Sequence, residues 1–231
     1  MKIAAFIPTR KGSKRIPGKN RIDIDGDYLI NKVIRNIKKS LPNIDIYISS
    51  DDEEFIELIE DKDVNFLKRE SRFSDDFSTV TDLTKSHYEK DLQNYDLIIQ
   101  AFCHSICVSG DNYSDALKKI MDSNKNSLIT IARLDGPVEW TFKIINDKLV
   151  PNFPEKKSER SQDLGFSFID AGQFYIYKKE WLKEENLDNY NSESEWIELN
   201  YFQSNDLDEE SDLSKLKINY EVAKDNLKNL D

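Results

Sequence analysis

The chain opens on an apolar run, Ile3-Ala-Ala-Phe-Ile7, that breaks at once into Pro8-Thr-Arg-Lys-Gly-Ser-Lys-Arg-Ile-Pro-Gly-Lys-Asn20. A buried strand that delivers Arg10, Lys11, Lys14, Arg15 and Lys19 on a loop with Gly12, Ser13 and Gly18 constrains everything after it. Small residues let backbone N–H groups approach an anion, and Lys and Arg heads neutralise it, so the loop reads as a polyphosphate site. The alternative is a solvated charged loop. Pro8 and Pro17 argue against a floppy segment, because each fixes its own φ.

The remaining composition sharpens that reading. The formal net charge is -11 over 231 residues. Nucleic acid and anionic membrane both need a basic face, so neither is an expected partner. A basic cluster inside an acidic chain points to a small anionic ligand. No apolar run approaches the roughly 18 residues that a membrane-spanning helix requires. The first residues lack the small-residue cleavage pattern of a signal peptide. Cys103 and Cys107 make no disulfide framework, and a reducing cytoplasm fits them best.

Strand-like and helix-like runs then alternate. After Ile3–Pro8 the spacing predicts a helix over Leu29–Ser40, with Leu29, Ile30, Val33, Ile34 and Ile37 on one face. A strand over Asp45–Ser49 and a helix over Glu53–Asp61 follow, with Asp51 and Asp52 placed to cap the helix. Val64–Leu67, Tyr95–Phe102 and Ser127–Arg133 read as strands, Val80–Asp91 and Tyr113–Ser123 as helices. Such alternation predicts a mostly parallel sheet covered by helices on both faces, with ligands at the carboxyl ends of strands. Residues 135–165, punctuated by Pro137, Pro151 and Pro154, break the rhythm and read as a β-rich excursion. Strand character returns over Asp170–Tyr177, residues 183–195 read as a polar loop, and a last helix runs from Leu213 to Asn229.

The basic loop is not a Walker loop, because five residues rather than four separate Gly12 from Gly18, and Asn20 follows Lys19. Nor does the chain hold a Gly-x-Gly-x-x-Gly fingerprint there. Asp206-Leu-Asp208 is the second chemical signal. In an extended segment the two carboxylates share a face, where they repel unless a cation lies between them. Mg²⁺ takes carboxylate and phosphate oxygens together, so the pair can dock a metal–triphosphate complex; a solvated acidic turn is the alternative. Asp51 is either a further acidic neighbour or a helix cap. Cys103-His-x-x-Cys107 fits neither a zinc nor a haem spacing, which places the cysteines near the core. His104 either lines the pocket or fills space, and His87 is a surface or packing residue.

Read together, Pro8-x-Arg10-x-Gly12-Ser13-Lys14-x-Ile16-Pro17-x-Lys19-Asn20 resembles the signature of the cytidylyltransferases that activate nonulosonic (sialic-type) sugars. The likeness recurs in family order at Ser49-Ser-Asp-Asp-Glu-Glu54, Arg69, Phe73-Ser-Asp-Asp-Phe-Ser78, Arg160-Ser-Gln-Asp-Leu164, Asp170-Ala-Gly-Gln-Phe-Tyr175 and Asp206-Leu-Asp208 with Asp212. The Asp170–Tyr175 wording is similar to the pseudaminic acid branch. Lys11, Cys103, Ile106 and Gly165–Ile169 depart from the family pattern.

The resemblance implies one Rossmann-like α/β domain over 1–231, of the nucleotide-diphospho-sugar transferase type, in which about 135–165 forms a dimerisation arm. It implies CTP and an acidic nine-carbon sugar as substrates, Mg²⁺ as cofactor and a homodimer whose arm reaches the partner's site. Arg10, Gly12, Ser13, Lys14, Lys19, Asn20, Arg69 and Ser78 are the implied nucleotide residues, with Lys19, Arg10 and Asp208 catalytic. Asp206 and Asp208 are the implied metal ligands, and Gln100, Arg160, Gln173 and Tyr175 the implied sugar residues. Other readings stay open at this point: a nucleotide-binding relic, another acidic sugar as acceptor, or another sugar nucleotide enzyme on the same fold.

Overall fold

The computed structural model describes residues 1–74, 78–184 and 193–228, with the side chains of the last helix to residue 224. In chain order the elements are β1 (Ile3–Pro8), a small hairpin of β2 (Asp23–Ile24) and β3 (Asp27–Tyr28), α1 (Leu29–Ser40), β4 (Asp45–Ser50), β5 (Asn65–Lys68), α2 (Val80–His87), β6 (Leu97–Ala101), α3 (Gly110–Asp122) and β7 (Ser127–Arg133). A second hairpin, β8 (Phe142–Ile145) and β9 (Lys148–Pro151), precedes β10 (Phe168–Lys178), α4 (Lys179–Leu182), β11 (Ser194–Leu199) and α5 (Glu210–Lys228).

Seven strands form one sheet in the order β11-β7-β10-β6-β1-β4-β5. β1 runs parallel to β4 and β6, β4 to β5, and β7 to β11. Only β10 is reversed, antiparallel to both β6 and β7. The parallel strands therefore end along one edge of the sheet, and β10 begins there. The chain also changes direction across β1, with β4 on one side and β6 on the other, which is where open α/β sheets bind ligands.

Both faces of the sheet are covered, and β1 shows why its sequence is a continuous apolar run. Ala5 and Ile7 enter the larger core with Leu29, Val33 and Ile37 of α1 and Tyr113, Leu117 and Ile120 of α3. Ala4 and Phe6 enter the other core with Leu83 of α2 and Trp181 of α4. A strand buried on both faces cannot alternate apolar with polar residues. α1 forms where its stripe predicts. α3 starts earlier than Tyr113 because Ser109 and Asn112 make a reciprocal capping box, satisfying two amide donors that the apolar spacing does not reveal.

Three expectations need correction. Glu53–Asp61 is not an α-helix: Glu53–Leu58 forms a 3₁₀ turn without a side-chain cap, and Asp51 and Asp52 bind the basic loop instead. Tyr88–Leu92 continues α2 as a π turn rather than as α-helix. The polar stretch 183–195 was expected to be loop, yet β11 begins at Ser194 and extends the sheet beside β7; residues 185–192 lie outside the described ones. As an outermost strand, β11 keeps charged side chains, and Trp196 stays half exposed, so the segment lacks a buried strand's signature.

The excursion at 135–165 does contain a hairpin. Asn146 and Asp147 turn it with φ of 50° and 58°, the left-handed pair that Asn and Asp tolerate. The hairpin carries Phe142, Ile144, Ile145 and Leu149 in solvent, with Ile144 77% exposed.

Candidate active site

A cleft of about 700 Å³ opens at the carboxyl edge of the sheet. It is lined by Arg10, Ser13, Lys14, Arg15, Lys19 and Asn20 from the loop after β1, by Arg69, Ser78 and Val80, by Phe102, Cys103 and His104 after β6, by Asp170, Gly172 and Tyr175 of β10, and by Asp206, Leu207 and Asp208. Segments remote in sequence thus meet because four strands end, or begin, on the same edge.

The basic loop is braced from behind. Thr9 N–H donates to the Ser49 carbonyl (2.7 Å), and Lys11 N–H donates to Asp51 Oδ1 (2.7 Å). Gly18 takes φ +71°, a left-handed value that β-carbon residues rarely adopt, and this turns Lys19–Arg21 into a short 3₁₀ turn. Asn20 Nδ2 donates to the Arg10 carbonyl across the loop (3.0 Å). Arg21 donates twice to the buried Asp52 carboxylate, at 2.8 and 2.6 Å, so this cation is structural and stays out of the cleft. Gly12 is in the loop but not among the cleft's lining residues.

The acidic pair faces the same space. Leu207 is fully buried, while Asp206 and Asp208 on either side of it line the cleft, as an extended i, i+2 pair must. Asp208 Oδ1 lies 3.5 Å from Lys19 Nζ and 2.7 Å from Arg15 Nη2. Asp212, at the start of α5, accepts the backbone N–H groups of Asp208 (2.9 Å) and Glu209 (2.8 Å). The Glu209 amide, with the Asp208 amide, holds the Asp212 carboxyl below its usual range, so it stays ionised and anchors the segment that carries Asp208.

Another part of the cleft's lining is aromatic, and it adjoins the acidic pair, with His104 Nε2 3.9 Å from Asp206 Oδ1. His104 and Phe102 stack at 5.4 Å with planes 10° apart, and Tyr175 meets Phe102 edge-on at 6.1 Å. His104 Nε2–H donates to the Gly172 carbonyl (3.0 Å). Burial first, then Lys19, pushes the imidazole down to about 4, which keeps it neutral at ordinary pH. The Cys103 thiol is pushed up to about 12 by burial, so it is a neutral core group that reaches the cleft's edge. Cys103 and Cys107 are both free and buried, as a packing role for the pair requires.

Several expected site residues lie elsewhere. Gln100 is buried beneath α2, its Oε1 accepting from Thr84 Oγ1 of that helix (2.6 Å). Gln173 is also buried, its Nε2 donating to the Ala171 and Asn205 carbonyls at 2.8 and 2.9 Å. It braces the residue before Asp206 rather than facing the cleft. Arg160 is exposed and pairs with Asp163 (2.7 Å), away from this chain's own cleft. Arg69 lines the cleft with its guanidinium held by the carbonyls of Thr9 (3.3 Å) and Phe73, and Ser78 Oγ donates to the Arg72 carbonyl (2.8 Å). Arg15, Phe102 and Asp170 were not singled out from the sequence. Arg15 is one more cation of the same loop, and Asp170 stands in a quoted motif, but neither spacing nor composition says which way they face.

His87 is a packing residue, not a surface one. Its Nε2 lies 2.9 Å from Ser49 Oγ and its Nδ1 2.9 Å from Asp91 Oδ2. This Ser–His–Asp chain has no catalytic access, because Ser49 is completely buried; it ties α2 to the strand that supports the basic loop.

A cytidylyltransferase family model matches residues 4–224. A pseudaminic acid cytidylyltransferase of Campylobacter jejuni subsp. jejuni serotype O:2 is 32% identical over 96% of this chain and 97% of its own length. An N-acylneuraminate cytidylyltransferase of Streptococcus agalactiae serotype III is 23% identical over 80% of this chain and 46% of its own. Among solved structures, a CMP:2-keto-3-deoxy-manno-octonic acid synthetase complexed with CTP superposes with a TM-score of 0.71 at 15% identity, over 97% of this chain and all of that one. On the family model and the Campylobacter relative together, the chain belongs to the cytidylyltransferase family.

Proposed function

We propose that the protein transfers CMP from CTP to the anomeric hydroxyl of an acidic nine-carbon sugar, pseudaminic acid foremost, and releases pyrophosphate. The full-length relative that is 32% identical carries that activity in its name. The observation that carries the reading is the meeting of Lys19 with Asp208, 3.5 Å apart across 189 residues of chain, in a cleft rich in cations.

The sugar oxygen attacks the α-phosphorus, the α–β anhydride bond breaks, and its electron pair leaves on pyrophosphate. The hydroxyl proton leaves with solvent or a cleft carboxylate. No covalent enzyme intermediate is needed, so the protein contributes position and charge. In this reading Arg10, Ser13, Lys14 and Lys19 hold the triphosphate, Lys19 nearest the α-phosphate, with Arg15 added to them. Asn20, Arg69 and Ser78 fix the ribose or base, and Gly12 lets the loop backbone approach.

Mg²⁺ fits the donor set. Asp206 and Asp208 line one cleft with hard carboxylate oxygens, and in this reading they would hold the ion. Bound there, it would neutralise charge on phosphate oxygens. Asp208 meanwhile keeps Arg15 and Lys19 oriented until a triphosphate competes for them.

The departures at Lys11, Cys103 and Ile106 do not obstruct this reading. The Lys11 ammonium lies 3.9 Å from Asp52 and its side chain is mostly in solvent, outside the cleft. Cys103 and Ile106 are buried. We also read the protein as a homodimer: the exposed apolar hairpin β8–β9 is the arm, and Arg160 beyond it would reach a second copy's cleft to grip the sugar carboxylate. Light scattering on wild type and on Ile144→Glu tests the dimer; a wild-type monomer overturns it.

Incubation with CTP, Mg²⁺ and each acidic sugar in turn tests the reaction. Pyrophosphate release is expected with pseudaminic acid, and release with none of the sugars overturns the proposal. A glycosyltransferase would instead consume a CMP-sugar.

A further inference from the structure

The register of β10 against β7 slips between Asp170 and Tyr175, and Gly172 inside the slip has φ +61°. A bulge of this kind re-aims side chains, and its left-handed residue favours Gly. Here it aims three groups at one wall. Asp170 Oδ1 accepts the Gly172 N–H (2.9 Å), and Asp170 Oδ2 accepts the Tyr175 hydroxyl (2.7 Å). The Gly172 carbonyl in turn accepts from His104 Nε2–H (3.0 Å). Phe102 lies between the two anchored rings, stacked on one and edge-on to the other.

The wall differs chemically from the rest of the cleft. It has flat apolar faces with polar atoms at their rims, and the Asp170 carboxylate within it already accepts two hydrogen bonds. A sugar carboxylate is repelled by Asp170 and by Asp206, 3.9 Å from His104, and a phosphate finds its partners among the cations of the loop after β1. An acylamide suits the wall: a flat group with a methyl to pack on a ring and an N–H and C=O to meet the rims. Resting on the cytidylyl transfer reading above, we propose that Asp170 is a positioning residue that sets acceptor specificity, locking Tyr175 directly and His104 through the Gly172 turn into a wall that selects N-acylated acidic sugars over those without an acylamide.

The test is steady-state pyrophosphate release with CTP, Mg²⁺ and either pseudaminic acid, which is N-acylated, or 3-deoxy-manno-octulosonic acid, which is not. Wild type, Asp170→Ala, Tyr175→Phe and the double variant are compared. Asp170→Ala is expected to raise KM for the acylated sugar about tenfold while KM for CTP moves less than about twofold, because loss of two partly buried hydrogen bonds loosens the wall and leaves the cation loop intact. The acylated-over-plain preference should shrink by the same factor. Tyr175→Phe keeps the ring, and so the fold, and should show the same direction. The double variant should be no worse than Asp170→Ala, since the bond that Tyr175→Phe removes is one of the two that Asp170→Ala already removes. Equal rises in KM for CTP and sugar, an unchanged preference, or additive effects overturn the assignment. Wild type that releases pyrophosphate with neither sugar overturns the transfer reading itself, and the wall's role with it.

Discussion

The two sides of the cleft are built on opposite principles. The cation side consists of long side chains on a turn, and some of them, such as Arg15, are largely in solvent and reach the acidic pair through charge. The aromatic side has two buried rings, His104 and Tyr175, each fixed by a hydrogen bond to the β10 bulge, with the partly buried Phe102 packed against both. Flexible cations suit a ligand whose charge is large and whose shape changes during reaction, because Coulomb attraction falls slowly with distance and tolerates adjustment. Locked rings suit a group that must be told apart from near isosteres, since discrimination needs surfaces that do not yield.

The sharpest way to break this contrast is Asp208→Asn. Turnover should fall by about 10²–10³ or more, with a melting temperature close to wild type, since the carboxylate faces the cleft and its segment is anchored by Asp212. A fully active variant would remove the acidic pair from the chemistry. Lys19→Met should cost about 10²-fold in kcat/KM, and raised salt should weaken CTP binding by wild type more than by this variant, because screening acts on the cation side. If salt left CTP binding untouched, the cation side would not be the phosphate side.

The aromatic side has a stability signature of its own. His104 is buried with its protonation pushed down to about 4. Its folded-state affinity for protons is below that of the unfolded chain, so its contribution is complete above pH 6.5 and is lost as the pH falls from there toward 4. Denaturant titrations should show a loss on the order of 1–3 kcal/mol over that window, and His104→Phe should lose less; equal slopes would mean the ring is not held neutral. The smallest effect is expected beneath the loop. Ser49→Ala should cost about 1 kcal/mol of stability by unpairing His87, with kcat unchanged, and a large drop in kcat would give Ser49 a role at the cleft.

What the residues revealed in advance divides along the same line. β1, its loop and the Asp206–Asp208 pair were legible because their signals are local: a run, a set of cations, a spacing of two. The aromatic wall was not. Gln100 and Tyr175 are cross-strand partners on β6 and β10, yet α2 covers the first and the cleft exposes the second. Sequence alternation assigns a face, and only the packed helices decide which part of that face stays open. Gln173 carried a family motif but turned inward to Asn205, because the bulge shifts register within the motif itself. β11 was missed for a related reason, since an edge strand is free to be polar.

The reversed direction of β10 has one more consequence. Every parallel strand reaches the catalytic edge last, after its length has been committed to the cores; β10 reaches it first. Its opening residues are thus a tip that can be rewritten or lengthened without shifting a strand beneath the triphosphate. If the wall at that tip reads the acceptor as proposed, a change of acceptor needs substitutions there and none in the loop after β1.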